Sequence, residues 1–154
     1  MTLEKTLRQQ LNEPGTGGFH VHADGWAVTL VSEKADSLSC ALKDLTLDRA
    51  EPIGEDLSAW AARVARQVTG LLEPLRVLEV DTPRGTALLR SDAPASRDGK
   101  ALYYELLLTR TDRTRANLRR YAGDPAGAAR REPVAFVLTH DAIVKLVNDL
   151  GNVK

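Results

Sequence analysis

Asp24-Gly25 lies between two runs of alternating apolar residues, Phe19-His20-Val21-His22-Ala23 and Trp26-Ala27-Val28-Thr29-Leu30-Val31. Asp-Gly is a preferred pair for the type I′ turn, the two-residue loop whose twist matches that of the strands it joins. A loop of two residues leaves one register, in which Val21 opposes Val28 and Phe19 opposes Leu30. Phe19, Val21, Ala23, Trp26, Val28 and Leu30 then share one apolar face, while His20, His22, Ala27 and Thr29 occupy the other. A hairpin of this kind is stable only as part of a larger sheet whose apolar face is covered. That requirement constrains everything around it.

The flanking segments supply the cover and the neighbours. Thr2 is placed to cap a short helix in which Leu3, Leu7 and Leu11 form one stripe, and Gly15 to Gly18 read as a flexible connector. A third strand is expected from Leu38 to about Leu47, after a turn near Lys34-Ala35-Asp36, with Leu38, Cys40 and Leu42 on the Trp26 face. The apolar phase slips between Leu42 and Leu45, where Lys43-Asp44 adds one residue, the mark of a β-bulge. Residues 55–73 carry the strongest helical period: Leu57, Trp60, Ala61, Val64, Val68, Leu71 and Leu72 fall on one side, with Arg63, Arg66 and Gln67 opposite. Pro74 stops that helix.

Strand patterns return in Leu75–Asp81 and Thr86–Ser91, joined by Thr82-Pro83-Arg84-Gly85. A polar loop from Asp92 to Lys100 leads to strands Ala101–Arg110 and Arg115–Tyr121. After the loop-like stretch Gly123–Ala129, Val134–Leu138 reads as a buried strand, and Thr139 caps a last helix bearing Ile143, Leu146, Val147 and Leu150. Consecutive strands linked by short turns pair antiparallel, so the expected fold is α+β. It is one domain over residues 1–154: a twisted antiparallel sheet of about seven or eight strands with three helices, in the order α-βββ-α-ββββ(β)-α. Each of the first two helices precedes a hairpin and a longer strand, and Leu42–Arg49 loosely echoes Leu106–Arg113, so internal duplication and chance are both open readings.

A chain of 154 residues with 43% hydrophobic and 27% charged residues can bury its own core. Cys40 is the one cysteine, which excludes an intramolecular disulfide and points to a reducing compartment. The start, Met1-Thr2-Leu3-Glu4-Lys5, has no apolar run of the signal-peptide kind, and no apolar stretch is long enough for a membrane-spanning helix. A cytoplasmic location and no membrane partner are expected.

The candidate sites are few. His20 and His22 share a strand face, as metal ligands on strands do, but no third or fourth ligand stands at a diagnostic spacing, and a polar hairpin face explains the pair as well. His140 and Glu33 have no such spacing either, so neither a metal nor another cofactor is expected. Cys40 alternates with core residues and has no base beside it. Gly15-Thr16-Gly17-Gly18 lacks the Gly-Lys-Ser/Thr ending of a P-loop, and no Gly-x-Ser-x-Gly, His-Glu-x-x-His or Cys-x-x-Cys occurs.

Charge is the remaining signal. Residues 1–60 hold five Lys/Arg against ten Asp/Glu, and residues 61–154 hold sixteen against eleven, although the whole chain is neutral. Arg110, Arg113, Arg115, Arg119, Arg120, Arg130 and Arg131 fall within 22 residues, interrupted only by Asp112 and Asp124, with Tyr121 alongside. Solvated surface is the bland explanation of such a run. Its functional reading is a binding site for an acidic protein surface or a second copy of the chain, so the expected role is a non-catalytic interaction or adaptor domain. A nucleic-acid module using the same stretch is the alternative. A small enzyme would have to assemble scattered acids, histidines and Tyr103 or Tyr104.

Overall fold

A computed structural model describes residues 2–13, 18–91, 95–97, 99–123 and 131–151. Among the described residues three helices, α1 (Leu3–Asn12), α2 (Leu57–Gln67) and α3 (His140–Gly151), accompany ten strands. These are β1 (Phe19–Ala23), β2 (Trp26–Ala35), β3 (Ser39–Arg49), β4 (Leu75–Asp81), β5 (Thr86–Ser91), β6 (Ala95–Arg97), β7 (Lys100–Arg110), β8 (Thr114–Gly123), β9 (Glu132–Val134) and β10 (Phe136–Thr139). The expected α+β order holds. Seven strands form a continuous antiparallel sheet, β1-β2-β3-β8-β7-β5-β4, and the three short ones attach beside it.

The hairpin register is the one its turn dictates, with Phe19 opposite Leu30, Val21 opposite Val28 and His20 opposite Thr29. Asp24 and Gly25 both take positive φ, 54° and 80°, as a type I′ turn requires. The bulge in β3 is also present: Val31 faces Asp44 and Ser32 faces Leu42, leaving Lys43 unpaired, and Glu33 is skipped on β2 directly afterwards. Two extra residues on opposite strands restore the alternation, so Cys40 and Leu42 are buried as expected.

Five readings need correction, the last of them the strand before α3. Leu38 is exposed, because the turn lies at 36–38, where the Asp36 carboxylate accepts the amides of Leu38 and Ser39. These bonds hold Asp36 below the usual carboxylate range. Helix α2 ends at Gln67 rather than near residue 73, which leaves Leu72 in the exposed part of a loop. Arg63 is buried instead of solvated. Its guanidinium donates to the Asp149 and Leu150 carbonyls while pairing with Glu55, and the Trp60 indole N–H also donates to Leu150. The last carbonyls of α3 lack partners within their own helix, and α2 supplies cationic donors where the dipole favours them. Fourth, the Asp92–Lys100 loop contains strand β6, which pairs with the start of β7.

The expected last strand is divided. Strand β2 fills one edge of β3, so β8 and β10 share the other: β8 pairs with residues 45–49 and β10 with residues 39–42. On β8, residues 114–118 pair with β3 and residues 120–122 with β9. The segment Glu132–Thr139 therefore fills the fork where β3 and β8 part, bonding first to one side and then to the other.

All three helices pack on the same face of the sheet, α1 against β1, α3 against β3 and β10, and α2 against β4, β5 and β7. The Thr2 and Asp56 side chains cap α1 and α2, and Thr139 accepts the Ala142 amide at the start of α3. Leu3, Leu7 and Leu11 of α1 are fully buried, each contributing about 1.5–3 kcal/mol relative to exposure. No helix among the described residues is long and apolar enough to cross a membrane.

The topology also bears on the suspected duplication. The triplets β1-β2-β3 and β4-β5-β7 each follow a helix, but they run toward β8 from opposite ends of a fully antiparallel sheet. Strands β1 and β4 consequently point the same way, and both helices cover the same face. The two units are related as mirror images. A duplicated unit keeps its hand, so the arrangement argues against a repeat.

Cys40 is 1% exposed, and burial pushes its thiol pKa up. Since the thiolate is the reactive form, native protein should react slowly with a thiol reagent and denatured protein fast. Equal rates in both states would show that β3 is not buried at this position.

Candidate functional site

Among the described residues every helix lies on one side, and the opposite face of the sheet is open. Alternation along β8 divides the arginine stretch between these two faces. Ala116, Leu118, Arg120 and Ala122 are buried on the helix side, whereas Arg115, Asn117, Arg119 and Tyr121 face outward. Neighbours in sequence thus have opposite surroundings.

Arg120 is 4% exposed and Glu73 is 7% exposed, and they pair at 3.4 Å beneath the sheet. The Arg120 guanidinium lies 4.2 Å from the centroid of the Tyr104 ring, which meets Phe136 edge-to-face. Arg110 turns to the loop before α2 and donates to the Ile53 carbonyl at 3.0 Å. Arg113 lies exposed in the β7–β8 turn. Arg130 falls outside the described residues.

The outward arginines are held by carboxylates on neighbouring strands. Arg115 reaches Asp48 through two bonds, of 2.7 and 3.3 Å. Arg119 bonds to Asp44, which also accepts from Asn117 at 2.6 Å. Arg131 and Arg90 both converge on Glu105. Arg131 also stacks over Tyr121, 4.0 Å from its centroid, and Arg90 over Tyr103 at 5.0 Å, while the two tyrosine rings lie 6.0 Å apart across β7 and β8. Hydrogen bonding raises the guanidinium pKa of three of them, through Glu105 for Arg131, Asp48 for Arg115 and Tyr121 for Arg119.

The depth of these charges differs. The side chains of Arg115, Arg119, Arg131 and Arg90 are 61%, 46%, 45% and 41% exposed, whereas those of Asp48, Asp44 and Glu105 are 24%, 22% and 9% exposed. Cationic groups form an outer layer above a sunken layer of acids. Each guanidinium has five N–H donors, and the bonds to the acids leave some of them free for a ligand.

Sequence reasoning finds Arg115, Arg119, Tyr121 and Arg131 but misses Arg90 and Glu105 and names Tyr103 only for a small enzyme; these three join the others through the pairing of β5 with β7 and of β7 with β8. Among the described residues, no three His, Cys, Asp or Glu side chains converge as a metal cage would. No known protein family, characterised protein or solved structure matches this chain.

The inward half of the cluster has a pH signature. Burial pushes the Tyr104 phenol above its ordinary pKa, with Arg120 partly opposing. A group whose folded pKa is raised contributes its stability below the unfolded value of about 10 and loses it as pH rises through the folded value. In an absorbance titration, one of the three tyrosines should ionise late, together with alkaline unfolding. A single shared midpoint for all three, with the fold intact, would contradict this burial.

Proposed function

We propose that this chain is a non-catalytic cytoplasmic interaction domain that receives an acidic protein segment on the open face of its sheet. The observation that carries the reading is the layered charge, in which four arginines project above three sunken carboxylates. The carboxylates hold the guanidinium groups in place before a ligand arrives, so less side-chain freedom is lost on binding. Tyr103 and Tyr121 add rigid aromatic area beside them, and tyrosine and arginine dominate the energetics of many protein interfaces.

Arg115, Arg119, Tyr121 and Arg131 belong to this surface, and Arg113 borders it. Arg110 and Arg120 serve the fold. A second reading, single-stranded nucleic acid, draws support from two tyrosines on adjacent central strands, a common stacking platform. Its weakness is that arginines already cover both rings.

Fluorescence anisotropy separates the two readings. A labelled polyglutamate peptide should bind at low salt, weaken as salt rises, and lose binding when Arg115 and Arg119 are both changed to glutamate. Those exposed substitutions should leave the circular dichroism spectrum unchanged. Labelled single-stranded DNA or RNA binding where the peptide does not would promote the second reading. Binding of neither probe would reduce the arginine face to ordinary solvated surface.

A further inference from the structure

On the open face of edge strand β1, the Nε2 atoms of His20 and His22 point at each other, 2.7 Å apart, with their rings nearly perpendicular at 79°. Both side chains are exposed, and the Nδ1 atom of His20 is held 2.9 Å from the Thr29 hydroxyl on β2. Three features of the hairpin produce this. The pleat puts residues i and i+2 on one face, the Asp24-Gly25 turn sets the register, and that register places Thr29 directly opposite His20.

We infer that His20 and His22 form an open two-imidazole site for a divalent transition metal that accepts square-planar nitrogen ligands, Cu²⁺ above all. The geometry selects among metals. Two nitrogens about 2.0 Å from one ion lie about 2.8 Å apart at a right angle, and about 3.3 Å apart at a tetrahedral angle. At rest the 2.7 Å contact is a hydrogen bond between the two rings; an ion that replaces its proton must turn both lone pairs toward itself and widen the pair by about 0.1 Å at a square-planar corner but by about 0.6 Å at a tetrahedral one, so Cu²⁺ or Ni²⁺ demands less opening than Zn²⁺. Nitrogen sites also bind Cu²⁺ more tightly than its first-row neighbours.

Thr29 acts as a positioning residue. An Nδ1–H donated to its hydroxyl fixes the His20 tautomer whose Nε2 lone pair accepts the His22 Nε2–H at rest and faces the ion once His22 shifts that proton to its own Nδ1, the role that outer partners play for metal-bound histidines. The lack of a third and fourth protein ligand, which makes a closed structural centre an unattractive reading, is no obstacle to an exposed chelate completed by water. This site lies on the same open face as the arginines, with β2 between it and Asp48 on β3, and does not depend on the proposed function.

Titration of the metal-free protein with Cu²⁺ alone tests the inference, followed by electron paramagnetic resonance and by Trp fluorescence quenching. One ion should bind per chain, with a spectrum showing at least two nitrogen ligands. His20→Ala and His22→Ala should each weaken binding about tenfold or more, and Thr29→Val about tenfold. His140→Ala should leave binding unchanged. Zn²⁺ should compete poorly. Tight Cu²⁺ binding that survives in the double variant H20A/H22A, or a spectrum with a single nitrogen ligand, would overturn the assignment. So would the absence of any binding by the intact protein. Circular dichroism of each variant guards against misreading a folding defect.

Discussion

The pairing of β3 with β8 holds the sheet together. Five residue pairs, from Leu45–Leu118 to Arg49–Thr114, join the meander β1-β2-β3 to the strands that continue through β7, β5 and β4. Without this seam each half would keep an open edge and a half-covered apolar face. Four of its six inward members, Leu45, Leu47, Ala116 and Leu118, are fully buried apolar residues. Its outward members are Thr46, Asp48, Arg115 and Asn117, and Asp44 and Arg119 stand where the strands begin to part. One ladder therefore supplies both the centre of the core and the centre of the charged face. Beyond it the strands splay, and β9 and β10 close the gap while leading into α3.

Local chemistry made much of this legible in advance. The Asp24-Gly25 hairpin was readable because turn type and apolar alternation agree, and agreement between independent levels makes a sequence unambiguous. The caps at Thr2 and Thr139 and the slip at Lys43 were readable for the same reason. The misses have a common cause. Arg63 looks solvent-facing by helical period, but the far end of α3 needs its donors, and no pattern within 55–73 carries that information. Leu38 alternates correctly with Cys40, yet Asp36 captures the backbone amides around it and sets the turn two residues later.

The candidate site was legible by half. A run of arginines announces a surface, but its pleat decides which of them belong to it. Strand period two turns Arg119 outward and Arg120 inward, a distinction readable once Leu118 is known to be buried. Tyr103, Glu105 and Arg90 come from strands paired across the sheet, and their bonds with one another and with Arg131 span 15 to 26 residues of sequence. Duplication shows the opposite failing: a similar order of elements hides an opposite hand, which only strand direction exposes.

The division of β8 into a structural side and a binding side is the claim on which the functional reading rests. Denaturant unfolding of Arg119→Ala and Arg120→Ala, measured side by side, tests it most directly. Arg120→Ala leaves Glu73 buried without its partner and should cost about 3–5 kcal/mol, or prevent folding altogether. Arg119→Ala removes an exposed pair and should cost about 1 kcal/mol or less. Equal losses from the two adjacent substitutions would contradict the division, because they would mean that both arginines serve the fold or that neither does.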